Sequence, residues 1–164
     1  MKYGFSIIVM LTLNLSAFTQ TVIRADLRVI YESGGLNVTE KRDLFNSEKT
    51  QVYWSWEYTF YYPPPPTTES VGFRMNSVSE SIELMEECIR VLRMQDYLGS
   101  HDKIVHEYGG VTMVKHGSKP NVIEVWPGQK NLLTGTPFHG SELELTEQRC
   151  NSILEQLKNY RPLN

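Results

Sequence analysis

Gln51 to Tyr62 reads QVYWSWEYTFYY and is closed by four consecutive prolines, Pro63 to Pro66. Alternate positions place Val52, Trp54, Trp56, Tyr58, Phe60 and Tyr62 on one side and Tyr53, Ser55, Glu57, Thr59 and Tyr61 on the other. A repeat of two marks a strand, because successive side chains of a pleated chain point to opposite faces. Aromatic and β-branched residues suit a half-buried pleated surface. The stretch therefore predicts a long central strand, one side toward a core and one side outward. The prolines have no N–H to give to a ladder, so they end it as a stiff polyproline II segment.

On the amino-terminal side, Thr21 to Glu32 (TVIRADLRVIYE) alternates again, with Ile23, Ala25, Leu27, Val29 and Tyr31 on one face and Arg24, Asp26 and Arg28 opposite. This predicts a strand with one wet side. Ser33-Gly34-Gly35 breaks it, and Leu36 to Thr50 is polar enough to read as a long connection or a short, irregular hairpin. On the carboxyl side, Val71 to Met75 suits a short strand. Ser77-Val78-Ser79-Glu80 then has the spacing of a capping box, in which the serine accepts from a free amide and the glutamate reaches back. Val78, Ile82, Met85, Ile89 and Leu92 recur at helical intervals, with Leu84, Cys88 and Val91 widening the stripe and Gly99 ending the helix.

His101 to Tyr108, Val111 to His116 and Asn121 to Trp126 read as three short strands. Gly109-Gly110 suits a two-residue hairpin, which sets Tyr108 opposite Val111, Glu107 opposite Thr112 and His106 opposite Met113. Leu132-Leu133 begins a further strand, and Glu142 to Leu145 forms another. Thr146 caps a last helix in which Cys150, Ile153, Leu157 and Tyr160 share one side. The pattern is α+β: an antiparallel sheet of six or seven strands with both helices packed on one face, residues 21–164 forming a single domain. Strand, cap and helix follow one another twice, around Met75 and around Leu145, with too little residue similarity to read as a repeat.

Residues 1–20, MKYGFSIIVMLTLNLSAFTQ, combine Lys2, an apolar run from Phe5 to Leu13 and a small-residue end, the layout of a secretory signal peptide cut between Ala17 and Thr21. Asn14 interrupts the run well before the roughly 20 apolar residues that a membrane span needs. The expectation is a secreted or periplasmic protein with no stable membrane span. The formal charge is −3, and −4 once Lys2 leaves with the leader, which argues against nucleic acid as a partner. An oxidising compartment allows the two cysteines, Cys88 and Cys150, to pair as a disulfide joining the two helices. Asn37-Val38-Thr39 is a sequon, making Asn37 a glycosylation candidate in a eukaryotic secretory pathway.

Catalytic and cofactor signatures are missing. The four histidines, His101, His106, His116 and His139, have none of the H-x-x-x-H or H-E-x-x-H spacings of a metal site, so no metal and no cofactor are expected. Ser141 lies outside any G-x-S-x-G pattern, and both cysteines sit on apolar stripes where a thiol is inert. Glu57, set among tyrosines and hydroxyls, is the single carboxylate placed for acid or base work. The aromatic surplus points instead to contact: Tyr53, Glu57, Tyr61 and Trp126 are the candidate binding residues, since exposed tyrosine and tryptophan mark interfaces. The sequence is thus read as an exported, non-enzymatic binding domain, monomer or homodimer, whose partner is a protein, a glycan or a small apolar ligand. Two alternatives stand beside it: a small secreted hydrolase using Glu57 or a histidine, and a carrier of an apolar ligand held between sheet and helices.

Overall fold

The computed structural model describes residues 27–42, 50–60, 65–94, 98–128 and 142–162. Along them run β1 (Leu27–Ser33), β2 (Leu36–Arg42), β3 (Thr50–Phe60), β4 (Thr67–Met75) and α1 (Val78–Arg93), then β5 (Lys103–Tyr108), β6 (Val111–His116), β7 (Val122–Trp126), β8 (Leu143–Thr146) and α2 (Glu147–Asn159). The fold is α+β, as expected, but the single sheet is not. The strands form two antiparallel sheets of four, ordered β1-β2-β3-β4 and β5-β6-β7-β8. Each half of the chain is therefore four consecutive strands followed by one helix.

Both halves open with a hairpin closed by Gly-Gly. Gly34 and Gly35 have φ of 53° and 76°, and Gly109 and Gly110 have 57° and 79°. Positive φ at both turn positions is the type I′ geometry, which glycine adopts without strain and which matches the twist of paired strands. In the second half the turn sets the expected register: Tyr108↔Val111, Glu107↔Thr112, His106↔Met113. In the first half the same turn starts β2, where an irregular connection was expected. Leu36 and Val38 point inward and are fully buried, but the next inward residue is Glu40, also 0 % exposed. That buried carboxylate breaks the apolar alternation, and it is tolerated because Tyr160 donates its hydroxyl to Oε2 at 2.8 Å.

β1 holds a second departure. Its register slips between Val29 and Tyr31, which pair with the adjacent Thr39 and Val38, so Ile30 is the extra residue of a bulge. A bulge shifts the alternation by one position. Ile30 is buried, whereas Leu27 and Val29, expected inward, are 42 % and 52 % exposed.

The inner faces of both sheets and the apolar sides of both helices form one core. Trp54 lies at its centre in the first half, stacked on Phe73 with ring centroids 5.5 Å apart and donating Nε1 to Ser81 Oγ at 3.2 Å. Caps place the helices against this core. Ser77 Oγ accepts from Glu80 N at 3.1 Å, and Glu80 reaches back to Asn76 N at 2.6 Å. Thr146 Oγ1 accepts from Arg149 N at 3.3 Å. Such caps contribute about 1 kcal/mol each.

The helices close on each other and on the opposite halves. Lys115 of β6 is buried and donates Nζ to the carbonyls of Leu92 at 2.7 Å and Met94 at 2.8 Å, at the carboxyl end of α1. An ammonium there meets both free carbonyls and the negative end of the helix dipole. Glu40 of β2 reaches Tyr160, the residue after α2, in the reverse direction. Glu40 and Lys115 stand equally far past their Gly-Gly turns.

Cys88 and Cys150 are both free and both fully buried, so the expected disulfide is absent from the structure. Cys88 donates Sγ to Met113 Sδ at 3.4 Å, and the neighbouring Cys150 thiol, together with burial, pushes the Cys88 pKa well up. Both side chains are accommodated as ordinary small core groups of the helix pair. Among the described residues no helix is long and apolar enough to cross a membrane. Residues 1–20, Tyr61, His139 and Ser141, and the strand expected at Leu132-Leu133, lie outside the described residues.

Candidate functional site

The face of the first sheet turned away from the core is set by register. Asn37 on β2 stands opposite Ser55 on β3, Tyr53 opposite Arg74 on β4, Glu57 opposite Ser70 and Thr59 opposite Thr68. Gly72 lies opposite Ser55, and a Cβ there would come within 2.0 Å of the Trp54 carbonyl oxygen, so only glycine permits this approach of β4 to β3. Asn37, Ser55, Trp56, Glu57, Thr68 and Ser70 line a depression of about 150 Å³ on this side. Pockets for whole small molecules run to roughly 300–1,000 Å³, so this one holds a single side chain or sugar unit.

The groups around it are largely unspent. Glu57 is exposed, and no cation among the described residues pairs with it. Tyr53 is half-buried and gives its hydroxyl to Gln51 Oε1 at 2.9 Å. Thr59 and Thr68 share a hydroxyl contact at 3.0 Å. Tyr53 and Glu57 thus lie on one face, as expected, with Asn37 of the sequon beside them. Sequence reasoning missed Thr68 and Ser70, which reach the site only because β4 starts as early as Thr67; the register Phe60↔Thr67 across the proline segment has no local signal.

Trp126 is not part of this surface. It lies on the outer face of the second sheet, in line with Glu124, and is only 9 % exposed. Glu124 and Val114 beside it are equally covered. Glu124 anchors a small charged cluster there: His116 Nε2 lies 3.1 Å from Oε2 and Lys119 Nζ 3.6 Å from Oε1, while Lys119 also reaches Glu144 at 2.5 Å. Glu144 beside Lys119 raises the lysine pKa above its ordinary value. His106, on the inner face, meets Glu87 at 3.0 Å and Arg90 at 3.3 Å, away from His116. Among the described residues no group of three or more His, Cys, Asp or Glu can hold a metal ion.

A second concavity, about 480 Å³, runs between the helices, with Ile89, Met94 and Leu154 at its base and Glu86, Arg90 and Arg93 on its rim. Its charges are already paired: Glu86 with Lys158 at 2.7 Å, Arg90 with Glu87 at 2.6 Å and Arg93 with Glu147 at 2.6 Å. The Arg90 guanidinium in turn holds the Glu87 carboxyl below its usual range. Leu84, Met85, Met113 and Ile153, all fully buried, belong to the core between sheets and helices. The open face of the first sheet thus gathers Asn37, Ser55, Glu57 and Ser70 around one depression as hydrogen-bonding groups. No family model matches the chain, and no curated protein or solved structure matches it either.

Proposed function

We propose that the protein is an exported, non-enzymatic binding protein whose contact surface is the outer face of the first sheet, centred on Glu57 with Tyr53, Asn37, Ser55 and Ser70 around it. The observation that carries this reading is the exposed carboxylate of Glu57, without an ion pair among the described residues and lining a polar depression. Glu86, Glu87, Glu144 and Glu147 pair with a neighbouring cation, whereas the exposed Glu32, Glu57, Glu107 and Glu155 have no ion pair among the described residues; of these four, Glu57 is the one that lines the depression. Export rests on the leader expected at residues 1–20; Tyr61, expected on the same side from the alternation of the sequence, lies outside the described residues.

The test is affinity capture of the mature protein from its own source, comparing the natural chain with Glu57→Arg and with Tyr53→Ser. Ligand retained by the natural chain and lost by both variants, with folding unchanged by circular dichroism, supports the reading. Ligand retained equally by all three defeats it.

A secreted hydrolase is the second reading, and one observation favours it: Glu124, 7 % exposed, orients His116 from 3.1 Å, the arrangement of a general base and its anchor. An activity screen in which His116→Ala abolishes turnover and Glu57→Gln does not would move the site to the second sheet.

A further inference from the structure

β3 outruns its partner on one side only. Pairing with β2 stops at Leu36↔Trp56, whereas pairing with β4 continues through Glu57↔Ser70, Tyr58↔Glu69, Thr59↔Thr68 and Phe60↔Thr67. Residues 57–60 belong to a central strand, yet among the described residues no strand pairs with them on the β2 side. In an antiparallel ladder successive residues direct their N–H and C=O to opposite sides, so two of these four offer both groups to the vacant side. At about 3.3 Å per residue the free edge is roughly 13 Å long. Neither proline nor lysine, the usual guards of an open edge, stands within residues 57–60.

The depression lies at the same corner. Its lining includes Asn37 of β2, Ser55 and Glu57 of β3, and Thr68 and Ser70 of β4, and none of these is cationic. Glu32, exposed on β1, is the cross-strand neighbour of Asn37. An unspent backbone edge and a pocket for one side chain with a carboxylate at its rim thus meet at one place. A second copy of this chain docked edge to edge, antiparallel and centred on residue 58, would set Glu57 against Thr59 and bring it no counter-charge.

We propose that this notch receives an extended peptide segment of a partner protein, added antiparallel to β3 in line with β2, with a lysine or arginine side chain seated on Glu57. The proposal rests on the reading of the first sheet's outer face as the contact surface and names the partner class. Main-chain bonds along residues 57–60 supply affinity independent of sequence, and the depression supplies selection for one charged residue in alternate positions. A basic side chain is selected because Glu57 has no counter-charge among the described residues.

The experiment uses the mature chain and a pooled set of peptides about ten residues long, alternating threonine and valine, with one outward position set to lysine, glutamate or alanine. Binding is read by fluorescence anisotropy, and the bound region by amide hydrogen exchange. Slowed exchange at residues 57–60, with lysine peptides preferred over glutamate peptides by about tenfold, is expected. Glu57→Lys, an exposed substitution that leaves the core untouched, should reverse that preference, and Thr59→Pro should weaken all peptides alike. Equal binding of the three sets, protection elsewhere on the molecule, or no peptide bound would overturn the inference. A native ligand lost on Glu57→Arg while no peptide protects residues 57–60 would overturn this inference alone and leave the contact surface standing.

Discussion

On the first sheet the side turned from the core carries Asn37, Ser55 and Glu57 at the water interface; on the second, Val114, Glu124 and Trp126 take outward positions and are nonetheless 8 %, 7 % and 9 % exposed. The two sheets share strand order, hairpin geometry and a following helix. Their inner faces share a core, so folding constrains those in the same way. The outer faces are where they diverge, and a carboxylate shows how: Glu124 is held by His116 and Lys119, whereas Glu57 has no cationic partner among the described residues. Groups held in place serve the fold, and groups left unpaired are available to something else.

The sharpest way to break the correspondence between halves is at its two buried charges. Lys115→Met removes a cationic donor from two helix-end carbonyls and should cost about 3 kcal/mol in urea unfolding. Glu40→Gln keeps an acceptor for Tyr160 and should cost about 1 kcal/mol. If both losses were equal and small, the crossed contacts would be geometric coincidences. On the outer faces the difference should be slightly smaller: Glu124→Ala leaves His116 and Lys119 without their shared carboxylate and should cost about 2 kcal/mol, against less than about 0.5 kcal/mol for Ser55→Ala. Losses of similar size would mean that the first sheet's outer face is structural too.

The smallest effect is a titration. Tyr160, raised to about 12 by burial and by its bond to Glu40, and Tyr108, raised to about 12 chiefly by its bond to Glu83, should ionise later than an ordinary phenol. A folded pKa above the unfolded value of about 10 means that the stability involved is intact below pH ~10 and is lost as pH rises through the folded pKa. Ultraviolet titration should show late-ionising tyrosine, and Tyr160→Phe and Tyr108→Phe should each remove one equivalent of it. If Glu40→Gln left the Tyr160 midpoint unmoved, the carboxylate would not be what holds that proton.

The parts of the fold legible in the sequence are those written in adjacent residues. Period two at Gln51 to Tyr62, the serine and threonine caps and the paired glycines at 109 and 110 each act through local geometry, and each has its counterpart in β3, the helix starts and the β5–β6 register. What stayed hidden depends on distant partners. β2 was obscured because Glu40 occupies a core position where it meets Tyr160, 120 residues away. At β1 one extra residue, Ile30, that no composition rule marks, leaves Leu27 and Val29 exposed while Tyr31 packs on the core. The division into two sheets turns on whether β5 returns to β4 after α1, which local pattern does not encode. The site was half visible: Tyr53 and Glu57 follow from alternation, while Thr68 and Ser70 require the register across the prolines.

The crossed closure by Lys115 and Tyr160 also bears on how the chain is born. As the chain leaves the ribosome, α1 emerges before Lys115 arrives to meet its terminal carbonyls, and Glu40 meets the Tyr160 hydroxyl only once Tyr160 has emerged. Neither half carries its own clasp. Each contact joins one half to the other, so the helix end at Leu92 and the carboxylate of Glu40 meet these partners only when both halves are present.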